Sequence, residues 1–218
     1  MLADFEHTMR LAAEESDRRD HRYLGTEHAL LGLIRTSNAR AVGILRSRGL
    51  TVEAVEAELG RLEEEGVVPR RDGGRELLRS LGIDIDEVLA RLDRSFGRAA
   101  VDEATCRVTR RPWWRRGRRD LAPLAKPVLV KRALELAERH AQTAGRKQAT
   151  IDDVLVGILR DAQDPLGTQL SRRGRRSLLQ LDLAPGNPAP VRLIVEARGL
   201  KLEQLDSELT AHDQSGGS

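Results

Sequence analysis

The chain has 218 residues, with 37 basic and 34 acidic side chains, a net charge of +3, and 39% hydrophobic against 33% charged residues. That supplies enough apolar material for a core under a heavily charged surface, and room for one large domain or two small ones. Aromatic residues are only 2% of the chain, too few for a β-sandwich and well suited to close packing of Leu-, Ala- and Val-rich helices. Only four basic residues are lysines, Lys126, Lys131, Lys147 and Lys201. The arginine bias fits either a GC-rich bacterial genome or a need for two-bond contacts to phosphate or carboxylate. Cys106 is the single cysteine, so no internal disulfide is expected.

In chain order, the start from Met1 to Glu6 lacks a basic segment followed by an apolar one, and no apolar run approaches the ~20 residues of a membrane span. A cytoplasmic protein is expected. Phe5, Met9, Ala12, Ala13 and Ser16 share one face of a first helix. Thr26 is placed to cap a second, Glu27–Arg35, whose Ala29 to Ile34 is apolar almost all round and therefore central. Ala41, Val42, Ile44 and Leu45 form a third helix, and Val52, Val55, Leu59 and Leu62 stripe a fourth.

The pattern then recurs. Residues 5–35 lie over 130–160 without a gap at an offset of 125, carrying Leu11, Ala12, Leu30, Gly32 and Arg35 onto Leu136, Ala137, Leu155, Gly157 and Arg160. The same offset takes Leu45 to Leu170 and Gly49 to Gly174. A shorter unit occurs three times over sixteen residues, at Ile44–Leu59, Leu77–Leu92 and Ile194–Leu209, each with glycine sixth (Gly49, Gly82, Gly199). Its reading is helix, left-handed glycine cap, extended residue, helix. Thr150-Ile151-Asp152-Asp153 reads as a capping box with Asp in the Glu position.

The expected architecture is all-α: two pseudo-symmetric four-helix repeats, each with an extra helical half-module. The first occupies 1–97 with its core at 1–62. An Arg/Trp-rich linker follows at 98–120, the second, degenerate repeat with its half-module spans 121–209, and 210–218 is a polar, disordered tail. Whether the half-modules complete their neighbours or pack across a dimer is left open by the pattern.

Tyr23-Leu24-Gly25-Thr26-Glu27-His28-Ala29-Leu30-Leu31-Gly32-Leu33-Ile34-Arg35 resembles the GTEH-LLGL signature of the N-terminal (Clp N, or Clp repeat) domain of Clp-type AAA+ unfoldases. Phe5 and Leu11-Ala12 upstream, with Ile44-Leu45 and Gly49 downstream, agree with it. Leu121 to Lys126 stands where the family opens its second repeat. The resemblance implies an all-α domain that recruits substrates and adaptors for unfolding and degradation. It also implies a protein-binding partner class: substrates, adaptors, Clp subunits or small Clp-targeting peptides. Some bacterial members bind phosphoarginine. Carried over residue by residue, that role falls on Glu27 with Thr26 beside it, and on Asp152 in the second repeat, where the carboxylate is shorter and the threonine is missing. The chemistry is sound, since a carboxylate in a first helical turn can take a guanidinium in a two-bond fork. From the residues alone, helix capping is the preferred reading of Thr26 and Glu27 over ligand binding.

No G-x-x-x-x-G-K-[ST] segment is present, so a member of that family without ATPase modules is expected, a binding protein and not an enzyme. No cofactor or metal is expected, because His7, His21, His28, His140 and His212 are scattered outside any zinc-ligand spacing. The linker stands apart. Arg110, Arg111, Arg115, Arg116, Arg118 and Arg119 surround Trp113 and Trp114. This combination fits an interdomain linker, an acidic protein partner, or nucleic acid with bases stacked on the tryptophans. The second arginine cluster, Arg172 to Arg176, can extend the same basic surface.

Overall fold

The computed structural model describes residues 2–21, 23–70 and 128–214, with scattered positions between 82 and 97. The chain divides into two compact units, one made of Met1–Arg70 with Leu124–Ser218, the other of Arg71–Pro123. In the second unit the described residues include helical Glu87 and Arg91, ion-paired at 2.7 Å, and Gly82 at φ 77°. Arg110, Arg111, Trp113, Trp114, Arg115, Arg116, Arg118 and Arg119 lie outside the described residues.

The described elements of the first unit are all helices. In chain order it holds α1 (Leu2–Arg18), α2 (Thr26–Thr36), α3 (Arg40–Ser47), α4 (Val52–Glu64), α5 (Val128–Thr143), α6 (Ile151–Gln163), α7 (Arg172–Leu179), α8 (Pro190–Glu196) and α9 (Leu202–Gln214). Among the described residues there is no strand, only an isolated antiparallel bridge between His21 and Arg70.

Helices α2 and α6 are the axles of the unit. Every residue from Thr26 to Ile34 is buried, as is Asp153 to Leu159. Each fully buried Leu or Ile there contributes roughly 2 kcal/mol by leaving water, so continuous apolar sequence is what these two positions require. The helix that precedes each one crosses it closely, α1 over α2 and α5 over α6. Gly32 and Gly157 mark the crossings. A Cβ on Gly32 would lie 2.7 Å from Leu11 Cβ, and one on Gly157 only 2.1 Å from the Ala133 carbonyl oxygen.

The short glycine-centred unit folds as anticipated in its first and last copies, while most of Leu77–Leu92 lies outside the described residues. Gly49 (φ 85°) and Gly199 (φ 70°) adopt the left-handed conformation after α3 and α8. In both, the following amide donates back across the cap, Leu50 N to Leu45 O at 3.0 Å and Leu200 N to Val195 O at 3.4 Å. Thr51 then caps α4 by accepting from Ala54 N.

The 125-residue offset holds only through Arg160. Gly174, its partner for Gly49, lies inside α7 and lacks a positive φ. Beyond α6 the offset becomes 150: α8 and α9 pack on α6 as α3 and α4 pack on α2. One ion pair fixes this register. Arg35 Nη2 donates to Glu56 at 2.7 Å, and the equivalent Arg160 Nε donates to both oxygens of Asp206 at 3.1 and 3.0 Å. The closing half-module therefore completes the second repeat within the same chain. The added element is the 164–189 stretch between α6 and α8, which contains α7. In the first repeat, residues 37–39 alone join α2 to α3.

The two repeats share one apolar core and grip each other reciprocally. Helix α3 packs on α6 and α9 of the other repeat, while α8 packs on α2 and α4. Polar contacts follow the same exchange. Asp152 Oδ1 accepts from Ala41 N at 2.9 Å, capping α3 across the interface. Arg48 meets Glu208, and Arg198 Nη2 donates to Ala54 O at 3.0 Å. Among the described residues no helix is long and apolar enough to cross a membrane.

Candidate functional site

The residues singled out at the starts of α2 and α6 sit in contrasting settings. Helix α2 begins at Thr26, with Gly25 rather than Thr26 at the N-cap. The Thr26 side of the expectation shifts by one residue because His28 performs the return bond: the Gly25 N–H donates to His28 Nδ1 at 3.0 Å. Thr26 is 3% exposed and Glu27 wholly buried. The Glu27 side chain folds back over Gly25, where a Cβ would lie 2.1 Å from Oε1. Glycine is needed here to make room for that carboxylate.

Around Glu27 lies a closed polar cluster. Its Oε1 is 3.1 Å from His28 Nδ1, yet neither carboxylate oxygen nor the Tyr23 hydroxyl makes a hydrogen bond of good geometry. Burial alone pushes the Glu27 carboxyl up; His28, then Tyr23, outweigh it and the net shift is downward. Burial, then the Glu27 charge, drive the Tyr23 phenol well above its ordinary value. His28 Nε2 lies 2.6 Å from His21 Nδ1. His21 Nε2 in turn approaches Glu63 at 3.1 Å, and Arg19 Nη1 donates to the same carboxylate at 2.7 Å.

The second repeat solves the same local problem with charge. Thr150 caps α6, and Asp153 Oδ2 accepts from Thr150 N at 2.8 Å and from Thr150 Oγ1 at 2.9 Å, the capping box anticipated from the sequence. Asp153 Oδ1 lies 2.7 Å from His140 Nδ1 and also meets Arg146. The offset of 125 carries His28 onto Asp153 and His21 onto Arg146. A buried His–His pair in one repeat thus occupies the place of an Asp–Arg pair in the other. Burial would raise the Asp153 carboxyl; the Thr150 amide, Arg146 and His140 together hold it below its ordinary value.

Asp152, next to it, is partly open, with its side chain 29% exposed. One oxygen caps α3, and Oδ2 stands 4.0 Å from Arg40 Nε. The three residues tied to a guanidinium ligand by resemblance are therefore not gathered into one pocket. Thr26 and Glu27 offer no open surface, and Asp152 offers part of one carboxylate at the junction of α6 with α3.

The sequence pattern did not mark the His21–Tyr23–His28 cluster around Glu27, or the clamp in which Glu15 and Glu56 hold Arg18 and Arg35. The signal was present in the repeat register, since Arg35 aligns with Arg160 and Glu56, on the later offset, with Asp206.

Two buried groups give the stability opposite pH dependences. Burial and His28 lower His21 from 6.5 to about 4. Between those values the unfolded chain binds a proton that the folded chain refuses, so stability present above pH 6.5 is lost as pH falls. Burial raises Asp161 from 3.8 to about 6, with Arg132 opposing. There the folded chain binds the proton first, and acidification from pH 6 towards 4 relieves a penalty. Each effect is on the order of 2–3 kcal/mol at full extent. Urea titrations should show His21→Gln gaining stability between pH 7 and 5 relative to wild type. Asp161→Asn should lose stability over the same interval. Parallel profiles for all three proteins would contradict both assignments.

Comparison with known proteins bears on the first repeat. Residues 3–73 match the Clp repeat (R) N-terminal domain. A probable ATP-dependent Clp protease ATP-binding subunit from Chlamydia pneumoniae is 40% identical over 57 residues, a stretch that covers 26% of this chain and 7% of that protein. The chain thus matches a small fraction of its relative's length.

Proposed function

We propose, for a chain whose residues 3–73 match the Clp repeat (R) N-terminal domain, a non-catalytic docking role in Clp-dependent proteolysis. The observation that carries the reading is the family match over α1–α4, the half of the helical unit that contains the Gly25–Arg35 segment. In this reading the protein binds substrates, adaptors, Clp subunits or small Clp-targeting peptides in the cytoplasm of a bacterium, and modulates or shields a Clp protease. The architecture supports it. Two interlocked repeats on one shared apolar core expose a charge-rich surface, and a preformed surface loses little entropy on docking.

For phosphoarginine-type ligands, the proposed contact is Asp152. It is the one of the three residues with a carboxylate oxygen near solvent, and it stands beside the N-terminus of α3, whose amide dipoles favour a phosphate. Thr26 and Glu27 hold the neighbouring backbone in shape.

The test is affinity capture with the full chain in a Clp-containing bacterial extract, followed by mass spectrometry. Enrichment of a Clp subunit, an adaptor or arginine-phosphorylated proteins is expected. Asp152→Ala should weaken capture of phosphorylated proteins, and Glu27→Ala should leave it unchanged. Loss of capture in Glu27→Ala, with circular dichroism unaltered, would reassign the contact to Glu27.

A further inference from the structure

The stretch inserted between α6 and α8 has a surface that the docking reading does not use. Helix α7 is anchored on one side. Leu178 is buried, Gly174 is tight against Leu170, and Arg175 donates to the carbonyls of Gly167 and Thr168. Its other side is open. Arg172, Arg173 and Arg176 are exposed, and Leu179 is 58% exposed. Arg172, Arg176 and Leu179 follow helical spacing and share one face.

Beside α7, a groove of about 530 Å³ runs along α5, lined by Lys131, Arg132, Leu136 and Arg139, with Gln169 and Leu170 from the insertion and Glu135 as the one acid among the described residues. Lys131 pairs with Glu135 at 3.5 Å, and Arg132 is taken by Asp161 and Asp164. Arg139 is exposed. Elsewhere in this unit arginines meet carboxylates, as Arg18, Arg35, Arg48 and Arg160 do. Among the described residues Arg139, Arg172, Arg173 and Arg176 make no ion pair with a carboxylate. Four open guanidinium groups beside two half-buried leucines form a surface with two demands, anionic groups and an apolar side chain.

We infer that α7 and the adjoining α5 groove form a docking site for an acidic peptide segment containing an apolar residue. Asp or Glu side chains would meet Arg139, Arg172, Arg173 and Arg176, and the apolar residue would cover Leu136 and Leu170. A nucleic-acid strand satisfies only the first demand. Phosphates gain nothing from half-buried leucines, and among the described residues the groove lining offers no aromatic ring for base stacking. The inference deepens the docking reading by naming a partner chemistry, and it rests on this surface rather than on the Gly25–Arg35 segment.

The test is fluorescence anisotropy of the full chain with a short labelled peptide of Asp and Glu around a central Leu. Binding at low salt that weakens as salt rises is expected. Arg173→Gln with Arg176→Gln should weaken it about tenfold, from two exposed charge contacts. The corresponding Lys double variant should bind within a few-fold of wild type, and a peptide with Ser for Leu should bind more weakly. Circular dichroism checks that α7 remains folded, and Arg61→Gln, remote from the groove, serves as a control. Absence of peptide binding at low salt would overturn the site. So would equal affinity in the Gln double variant, or tighter binding of a single-stranded oligonucleotide of equal charge. Peptide binding without capture of any Clp component would retain this site and remove the Clp reading; the reverse result would do the opposite.

Discussion

Replacing Gly157 by alanine is expected to destabilise the protein by about 3 kcal/mol, lowering its melting temperature by roughly 10 °C. The added methyl would lie 2.1 Å from the Ala133 carbonyl oxygen and 2.8 Å from Ala137 N. Both obstacles are backbone atoms of α5, so no rotamer change relieves the clash and the two helices must separate. The gain of ~1 kcal/mol from alanine's better helix propensity offsets only part of this. Gly32, the equivalent in the first repeat, meets the Leu11 side chain at 2.7 Å and the Leu11 backbone at 3.2 Å. Gly32→Ala should therefore be the milder of the pair. Thermal melts of both variants check the ranking. A Gly157→Ala protein as stable as wild type would mean that α5 and α6 do not approach as described.

Asp153→Ala is the second large effect, a loss on the order of 3 kcal/mol. The carboxylate is fully buried and serves the Thr150 amide, the Thr150 hydroxyl, His140 and Arg146 at once. Its removal takes one partner from Arg146 and uncaps α6, the helix on which the second repeat is built. Asp153→Asn keeps an acceptor for the Thr150 amide but gives up the charge, so its cost should be smaller. The folded carboxyl is held below its ordinary value. Its contribution is therefore present above pH 3.8 and is lost as the pH falls through the folded value. Urea unfolding at pH 7 and pH 3 should show wild type converging on Asp153→Ala in acid. Constant spacing between the two would contradict the network.

Much of the fold was written in local pattern. Continuous apolar runs marked α2 and α6 as central, and Gly49 and Gly199 announced the left-handed closures that the backbone adopts. Thr150 with Asp153 announced its capping box. These features are legible because each depends on residues within one turn or cap. What was not legible depends on distance or direction. Leu45 matched Leu170 at the wrong offset because apolar residues recur every three or four positions in any amphipathic helix. The offset of 150 was carried by the match of Ile44–Leu59 with Ile194–Leu209, and Arg35–Glu56 and Arg160–Asp206, the same ion pair twice, decide for it. Glu27 in a first helical turn reads identically whether it faces solvent or folds back over a glycine. The choice was made by Gly25, His28 and Tyr23 together, three residues whose joint geometry no spacing rule encodes. The proposed boundaries at 1–97, 98–120 and 121–209 remain a reading of repeats, which limited proteolysis of the full chain can map.

Capture from a Clp-containing extract tests the proposed recruiting role most directly. With wild-type chain, Clp subunits or adaptors should be enriched well above a tag-only control. A correctly folded chain that brings down none of them would contradict the assignment.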